Sequence, residues 1–411
     1  MTDAGAGSGR VHRGTDEAAV RRFTPDWILI DGRFQRSVSV AVADDGTVLE
    51  LGGAPGRAVR GILIPGLINA HTHLELSALA GQVPAGLGLP VWVDVLLRLR
   101  AELTDQAAGA AIGRAVLSLI QAGTAGVAEV TNTGLAIGAL EAARVQGVVH
   151  AEVLGIDPDQ AQAALDRVAG LGSESLAVRP SPHAPYSTSG ALIQRAVAAP
   201  GPMATIHLDE DPAERTFLAT GTGPWADFLD RLGRDRGDFV PPGCSPVSWL
   251  SRLGVLGPEL ALVHGTGFSE QDLDAVAAAG STVVLCPRSN QHISGRLPPA
   301  ADMVARGIPL AVGTDSLASC ADLDLLRELA VLRQAFPSVD PLTWVLAATS
   351  GGARVLGRPD LGVIAAGAAP GLLLLDATTD DPAATLCSGL GLRRTWLSCP
   401  GVQTTCTQEA A

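Results

Sequence analysis

The chain has 411 residues, 47% of them hydrophobic, enough for one large core and a smaller satellite rather than a minimal domain. Its net charge of −13 leaves no basic face for a nucleic acid, and no run of 18 apolar residues predicts a membrane span. All 29 basic residues are Arg, which removes Schiff-base chemistry and a phosphate-loop lysine from consideration.

Residues 1–20 are rich in Gly, Ala, Arg and Asp and read as a flexible tail. They hold no apolar run of the kind a signal peptide needs, so the expected location is the cytoplasm. Trp27 to Leu51 reads as short strands separated by Asp-Gly turns, a small β-unit. From Gly61 the rhythm changes. Eight apolar runs read as strands: Ile62–His71, Thr124–Val130, Val148–Gly155, Leu176–Pro180, Met203–His207, Leu260–His264, Thr282–Cys286 and Pro309–Gly313. Amphipathic helical text fills the gaps, for example Gln106–Ala122, Asp159–Ala169, Glu270–Ala279 and Asp322–Ala335. This alternation predicts an α/β chain with a closed (β/α)8 TIM barrel over residues 63–354. After residue 355 strand-like text returns, so residues 21–62 and 355–411 are expected to pair into one small composite β-sandwich. The cysteines, Cys244, Cys286, Cys320, Cys387, Cys399 and Cys406, show no CxxC spacing and read as reduced structural thiols.

Chemistry is expected at the strand ends, which converge on one mouth in such a barrel. His71, His207 and His264 each end a candidate strand. His183 lies just past the fourth, and Asp315 just past the eighth. His71-Thr72-His73 puts two imidazoles on the same side of a strand, within reach of one metal. With His207 and Asp315 they make three imidazoles and one carboxylate, a set suited to one divalent cation with an open position for water. Zinc fits this set best, and iron is the alternative. Glu210, three residues after His207, suits a proton-moving group that is not itself a ligand, better than Asp209. His264 is expected to orient the attacking water, and Asp315 to accept its proton as well as bind metal. The prolines around His183 make a rigid loop at the mouth, and that histidine reads as a substrate contact. With no Lys to bridge a second cation, one metal is the simpler reading. His12, His150 and His292 read as tail, strand interior and surface loop.

These segments resemble the amidohydrolase superfamily, and within it the aminohydrolases acting on purine-type rings. The matching stretches are Pro65-Gly-Leu-Ile-Asn-Ala-His-Thr-His-Leu-Glu75, Pro182-His-Ala-Pro-Tyr-Ser187, Ile206-His-Leu-Asp-Glu210, Val263-His264, Cys286-Pro-Arg-Ser-Asn290 and Gly313-Thr-Asp-Ser-Leu-Ala-Ser319. The run His71-Thr-His-Leu-Glu-Leu-Ser77 is similar to the aminofutalosine deaminases of menaquinone biosynthesis. The resemblance implies hydrolysis of 6-amino-6-deoxyfutalosine to futalosine and ammonia, with Glu210 as proton shuttle and His264 orienting water. The alternatives are deamination of S-adenosylhomocysteine, methylthioadenosine, adenosine or another N-heterocycle. A non-catalytic scaffold is the remote alternative, since scaffolds of this kind lose ligands that this chain keeps. Glu75 is a candidate for the ribose hydroxyls, Trp92 for stacking, Arg98 or Arg100 for a carboxylate, and Ser289 and Asn290 for further substrate contacts. Partners are then a small aminopurine and, as often in the family, a second copy of the chain. Two departures stand out: Asp209 replaces Ala in the usual His-Leu-Ala-Glu, and Ala369-Pro-Gly-Leu372 replaces an Ala-Asp strand start.

Overall fold

A computed structural model describes residues 20–233, 236–237 and 239–399. Residues 1–19, His12 among them, and Cys406 lie outside the described residues.

The strands, in chain order, are β1 (Arg21–Ile30), β2 (Arg33–Arg36), β3 (Val40–Val42), β4 (Val48–Leu51), β5 (Arg57–Pro65), β6 (Leu67–Thr72), β7 (Thr124–Thr131), β8 (Gln146–Val153), β9 (Ala177–Pro182), β10 (Ala204–Leu208), β11 (Leu260–His264), β12 (Thr282–Leu285), β13 (Leu310–Val312), β14 (Leu372–Leu375) and β15 (Arg394–Ser398). They form three sheets. One has seven strands in the order β15-β14-β5-β1-β3-β4, with β2 on β1. It joins the two ends of the described chain, since β14 pairs antiparallel with β5 and β5 runs parallel to β1. Phe23, Ile28, Val40, Leu63, Ile364 and Leu372 pack into one core on this sheet.

The other two sheets are parallel and four-stranded, β6-β7-β8-β9 and β10-β11-β12-β13. Strands such as β6, β7 and β11 are buried along their whole length, which is why they read as unbroken apolar text. Helices with ordinary start signals separate most of them. Ser269 and Asp272 form a capping box at the head of Glu270–Ala279, and Asp211 caps Pro212–Thr220 with Pro at the first turn. Among the described residues, no helix is long and apolar enough to cross a membrane.

The expected single strand Ile62–His71 is two strands in two different sheets. The break falls at Pro65-Gly66. Proline offers no N–H to continue a ladder. A Cβ on Gly66 would lie 2.4 Å from the Ala125 Cβ, so only glycine lets the chain turn there against β7.

The two parallel sheets meet at both edges near the C-terminal strand ends. On one side Thr314 N and Asp315 N donate to His71 O at 3.1 and 3.0 Å, and His73 N donates to Asp315 O at 3.0 Å. On the other side His207 N donates to His183 O at 2.9 Å. His71, His73, His183, His207 and Asp315 therefore lie on the seams themselves.

Candidate metal centre and active site

His71, one residue before the end of β6, is fully buried, and neither of its ring nitrogens has a hydrogen-bond partner. His73 Nε2 lies 3.2 Å from His207 Nε2. The Nε2 atoms of His71 and His73 lie 3.9 and 3.8 Å from Asp315 Oδ1. Burial, and then the neighbouring imidazoles, hold His71 and His73 well below the usual histidine range; burial takes His207 down to about 4. All three rings are thus neutral, as metal ligands must be. His207 Nδ1 donates to His183 O at 2.9 Å, which leaves Nε2 with its lone pair facing inward.

This donor set fits the divalent cation expected from the sequence. A buried imidazole left without partners costs about 1–3 kcal/mol. His73 Nε2 and His207 Nε2, 3.2 Å apart, are placed to face one cation. Three imidazoles and one carboxylate oxygen supply four donors of the type zinc prefers. A second trio, Glu152, His183 and His207, also lies close together. It does not make a second site of the same kind, because the His207 nitrogen facing Glu152, at 3.5 Å, is the Nδ1 that donates to His183 O.

Glu210, His264 and Asp315 group together on the other side. Asn290 Nδ2 donates to His264 Nδ1 at 3.0 Å. The His264 proton therefore sits on Nε2, 3.4 Å from Glu210 Oε2. Ser289 Oγ donates to Asp315 Oδ2 at 2.5 Å and Ser319 Oγ to the same oxygen at 3.4 Å. Oδ1 is left for the imidazoles. Burial raises Asp315 to about 6 against the pull of these two hydroxyls. Burial raises Glu210 well above the usual carboxylate range, with Asp315, Glu214 and Asp211 adding to the effect. Three residues of this region, Asp209, His264 and Asp315, have left-handed backbones with φ of 55°, 78° and 59°. Such strain in non-glycine residues gathers at functional sites.

The outer residues fall differently. Ser289 and Asn290, expected at substrate, are fully buried against Asp315 and His264. Glu75 takes five donors: Arg100, Thr131 Oγ1, the Asn132 and Thr133 amides, and Thr133 Oγ1. A carboxylate has about four lone-pair positions, so little is left for a ribose hydroxyl. Trp92 is 5% exposed, packed in an apolar cluster with Tyr186, Phe217 and Trp225. His183 is half-buried, its Nδ1 2.6 Å from Ser187 Oγ and its ring 5.0 Å from His207. Arg98 pairs with Asp94 on its own helix, whereas Arg100 turns inward to Glu75 at 2.9 Å and Asn132 at 3.3 Å. His150 is buried within β8, as read. His292, read as a loop residue, lies on helix Pro287–Ser294 and donates to Val83 O at 3.1 Å.

Two buried carboxylates escaped the sequence reading. Glu129 in β7 accepts the Leu74 amide through both oxygens, bracing the turn after His73. Glu152 in β8 lies beside His207 and takes Asn132 Nδ2 at 2.9 Å. The available signal was a single acid inside each apolar strand.

The amidohydrolase family profile matches residues 62–395. The chain belongs to the amidohydrolase family. This amidohydrolase is a hydrolytic enzyme, and deaminases are among the curated proteins similar to it. It is 33% identical over 319 residues to the aminodeoxyfutalosine deaminase of Deinococcus radiodurans, covering 72% of this chain and 73% of that one. It is 31% identical over 341 residues to a 5-methylthioadenosine/S-adenosylhomocysteine deaminase of Syntrophobacter fumaroxidans, covering 77% and 72%. Among solved structures it shares its fold with Helicobacter pylori aminofutalosine deaminase in complex with methylthio-coformycin, at TM-score 0.75, 19% identity and coverage of 89% and 95%. A zinc-bound adenosine deaminase from Xanthomonas campestris matches at TM-score 0.69, 24% identity and coverage of 89% and 88%.

Proposed function

We propose that this amidohydrolase is a metal-dependent deaminase of adenosine-like nucleosides, with 6-amino-6-deoxyfutalosine as its preferred substrate. One observation carries the reading: three neutral imidazoles and Asp315 converge beside Glu210, a buried carboxyl held well above its usual range. The two parallel sheets, hydrogen-bonded at both seams, support a closed eight-stranded barrel as the frame.

His71, His73, His207 and Asp315 would hold one divalent cation, zinc by its preference for this donor set. When bound, it supplies Lewis acidity that brings a water proton into the neutral range. The chain's own groups do the rest. Glu210 delivers a proton to ring N1, which makes C6 electrophilic. His264 Nε2–H orients the water whose oxygen adds to C6. Glu210 takes the proton that this water releases and hands it to the departing amine. The C6–N bond breaks, the proton left on the added oxygen returns to Glu210, and a 6-oxopurine and ammonia leave. Ser289 and Asn290 act from behind, holding Asp315 and His264.

The preference for aminodeoxyfutalosine rests on the Glu75-Leu-Ser77 run and on the relative from D. radiodurans. The similarity to methylthioadenosine/S-adenosylhomocysteine deaminases supports the second reading. Steady-state turnover of the zinc-loaded protein, followed by the ultraviolet shift from adenine to hypoxanthine, separates them. The expected order puts aminodeoxyfutalosine at least about tenfold above methylthioadenosine, S-adenosylhomocysteine and adenosine in kcat/KM. The reverse order would establish the second reading. No deamination of any of the four, with one metal bound per chain, would overturn both.

A further inference from the structure

Glu210 has to reach the substrate ring accurately, yet little holds its side chain. His264 Nε2, at 3.4 Å, is too distant to fix it. Its aim is inherited from the backbone of the turn that leaves β10. That turn passes through Asp209, 1% exposed and left-handed at φ 55°. Asp and Asn tolerate this conformation better than Ala.

The Asp209 side chain does not face the metal ligands. Arg215 takes it in a fork: Nε donates to Oδ1 at 2.8 Å and to Oδ2 at 3.0 Å, and NH2 donates to Oδ2. The same NH2 reaches Asp272 Oδ2 at 2.7 Å. Asp272 is anchored in turn by Ser245 Oγ at 2.5 Å, the cap of helix Pro246–Arg252, and by Ser269 Oγ at 2.6 Å, the cap of its own helix. The turn's backbone is tied as well. Asp209 N donates to Glu214 Oε2 at 2.9 Å. Gly267 N donates to Asp209 O at 3.1 Å, and Thr266 Oγ1 donates to Asp209 O and Glu210 O at 3.1 and 2.8 Å. The fit is close: a Cβ on Gly267 would lie 2.6 Å from Asp209 Oδ1.

We infer that Asp209, Arg215 and Asp272 form a positioning clamp that sets where Glu210 presents its carboxyl. The inference rests on the reading of Glu210 as the proton-moving group. Asp209 stands where the resembling family usually carries Ala, so the clamp is a feature of this chain's own sequence rather than of the shared motif.

The test compares wild type with Asp209→Gly, Asp209→Asn and Arg215→Met, all zinc-loaded, with 6-amino-6-deoxyfutalosine as substrate. Readouts are kcat, KM, zinc per chain and melting temperature. Asp209→Gly keeps the left-handed turn and removes only the fork, and Arg215 keeps Asp272 as its partner. The expected result is a 10- to 100-fold fall in kcat, on the order of what a misplaced catalytic group costs, with KM within about threefold and one zinc per chain. Arg215→Met should match it. Asp209→Asn, which keeps an acceptor for Arg215, should recover most of the loss. Wild-type kcat in Asp209→Gly with only a lower melting temperature would make the clamp purely structural and overturn the inference. Loss of zinc, or a KM rise in step with the kcat loss, would overturn it too. A Glu210→Gln variant that stays active would instead overturn the reading on which the clamp depends.

Discussion

Glu210 and Asp315 are neighbouring carboxylates that their surroundings separate into two tasks. Asp315 receives two hydroxyl hydrogen bonds, which favour its charged form, and burial brings it only to about 6. Glu210 lacks that support and is raised well above the usual carboxylate range by burial and nearby acids. At neutral pH Asp315 is then largely ionised, as the proposed ligand would need to be, and Glu210 is pushed toward holding a proton, the division that acid–base chemistry requires. Replacing Glu210 by Gln should therefore lower kcat by about 10²- to 10⁴-fold while zinc per chain stays at one. Elemental analysis alongside the kinetics checks this, and loss of metal would give Glu210 the role of a ligand. The pH dependence of metal affinity follows from Asp315. A cation must displace its proton, so affinity falls as pH drops through about 6. Below that the fall should be about tenfold per pH unit, because one proton is displaced. The His207 ring, lowered to about 4, stays neutral across this window and adds nothing. Chelator competition between pH 7 and pH 5 measures the slope. A flat profile would show that Asp315 is not a ligand.

At the level of elements, the strand ends were legible because each closes a continuous apolar run: Leu-Ala-Leu-Val before His264, Ala-Thr-Ile before His207. Burial on both faces leaves such runs no polar alternation, so the one polar residue at the end stands out. The junction at Pro65-Gly66 reads as continuous strand because β5 and β6 are apolar on both sides of it; the proline is its visible sign, and the close approach of Ala125 shows only in the fold. The left-handed turns at Asp209, His264 and Asp315 were equally hidden, because no glycine marks them. They depend on hydrogen bonds from distant segments, and alternation counted along a strand fails beyond such a turn. That is why Asp209 faces Arg215 and not the His207 side. Ser289 and Asn290 show the same limit, since a motif places a residue near the chemistry without saying whether it touches substrate or holds a neighbour. Close packing at these ends can be tested through glycine. A Cβ on Gly313 would lie 2.7 Å from both the Cβ and the carbonyl oxygen of His71. Gly313→Ala should cost about 1–3 kcal/mol and lower zinc occupancy by displacing that ligand. Gly109 lies in helix Asp105–Gln121 with nothing within 4 Å of the same position. Gly109→Ala should instead stabilise by up to about 1 kcal/mol and leave zinc unchanged. Thermal melts with metal analysis compare the two, and equal effects would show that His71 tolerates the intrusion.

For the molecule as a whole, the four proposed ligands are divided between its two parallel sheets. His71 and His73 come from the end of β6, while His207 ends in the other sheet with β10 and Asp315 follows β13. The seam beside them is narrow: Thr72 and Asp315 form an isolated bridge, and the Thr72 hydroxyl donates to Asp315 O at 2.9 Å. A cation shared by these four residues would therefore cross-link the two sheets at their strand ends, beside seams closed by only a few backbone hydrogen bonds. Without it, His71 keeps two unpartnered nitrogens and His73 and His207 face each other at 3.2 Å. Removing the metal should then do more than silence the enzyme. With free zinc at about 1,000 times its dissociation constant, binding adds about 4 kcal/mol of stability, and chelation takes this away. The loss should appear as a lower melting temperature. It should also appear as faster amide exchange at His71, His73, His207 and Asp315, with the seven-stranded sheet of β1, β5 and β14 little changed. Native-state hydrogen exchange on the zinc-loaded and chelated forms resolves this by segment. Uniform acceleration across all three sheets would mean that the metal stabilises the fold globally and does not act as a cross-link at the seam.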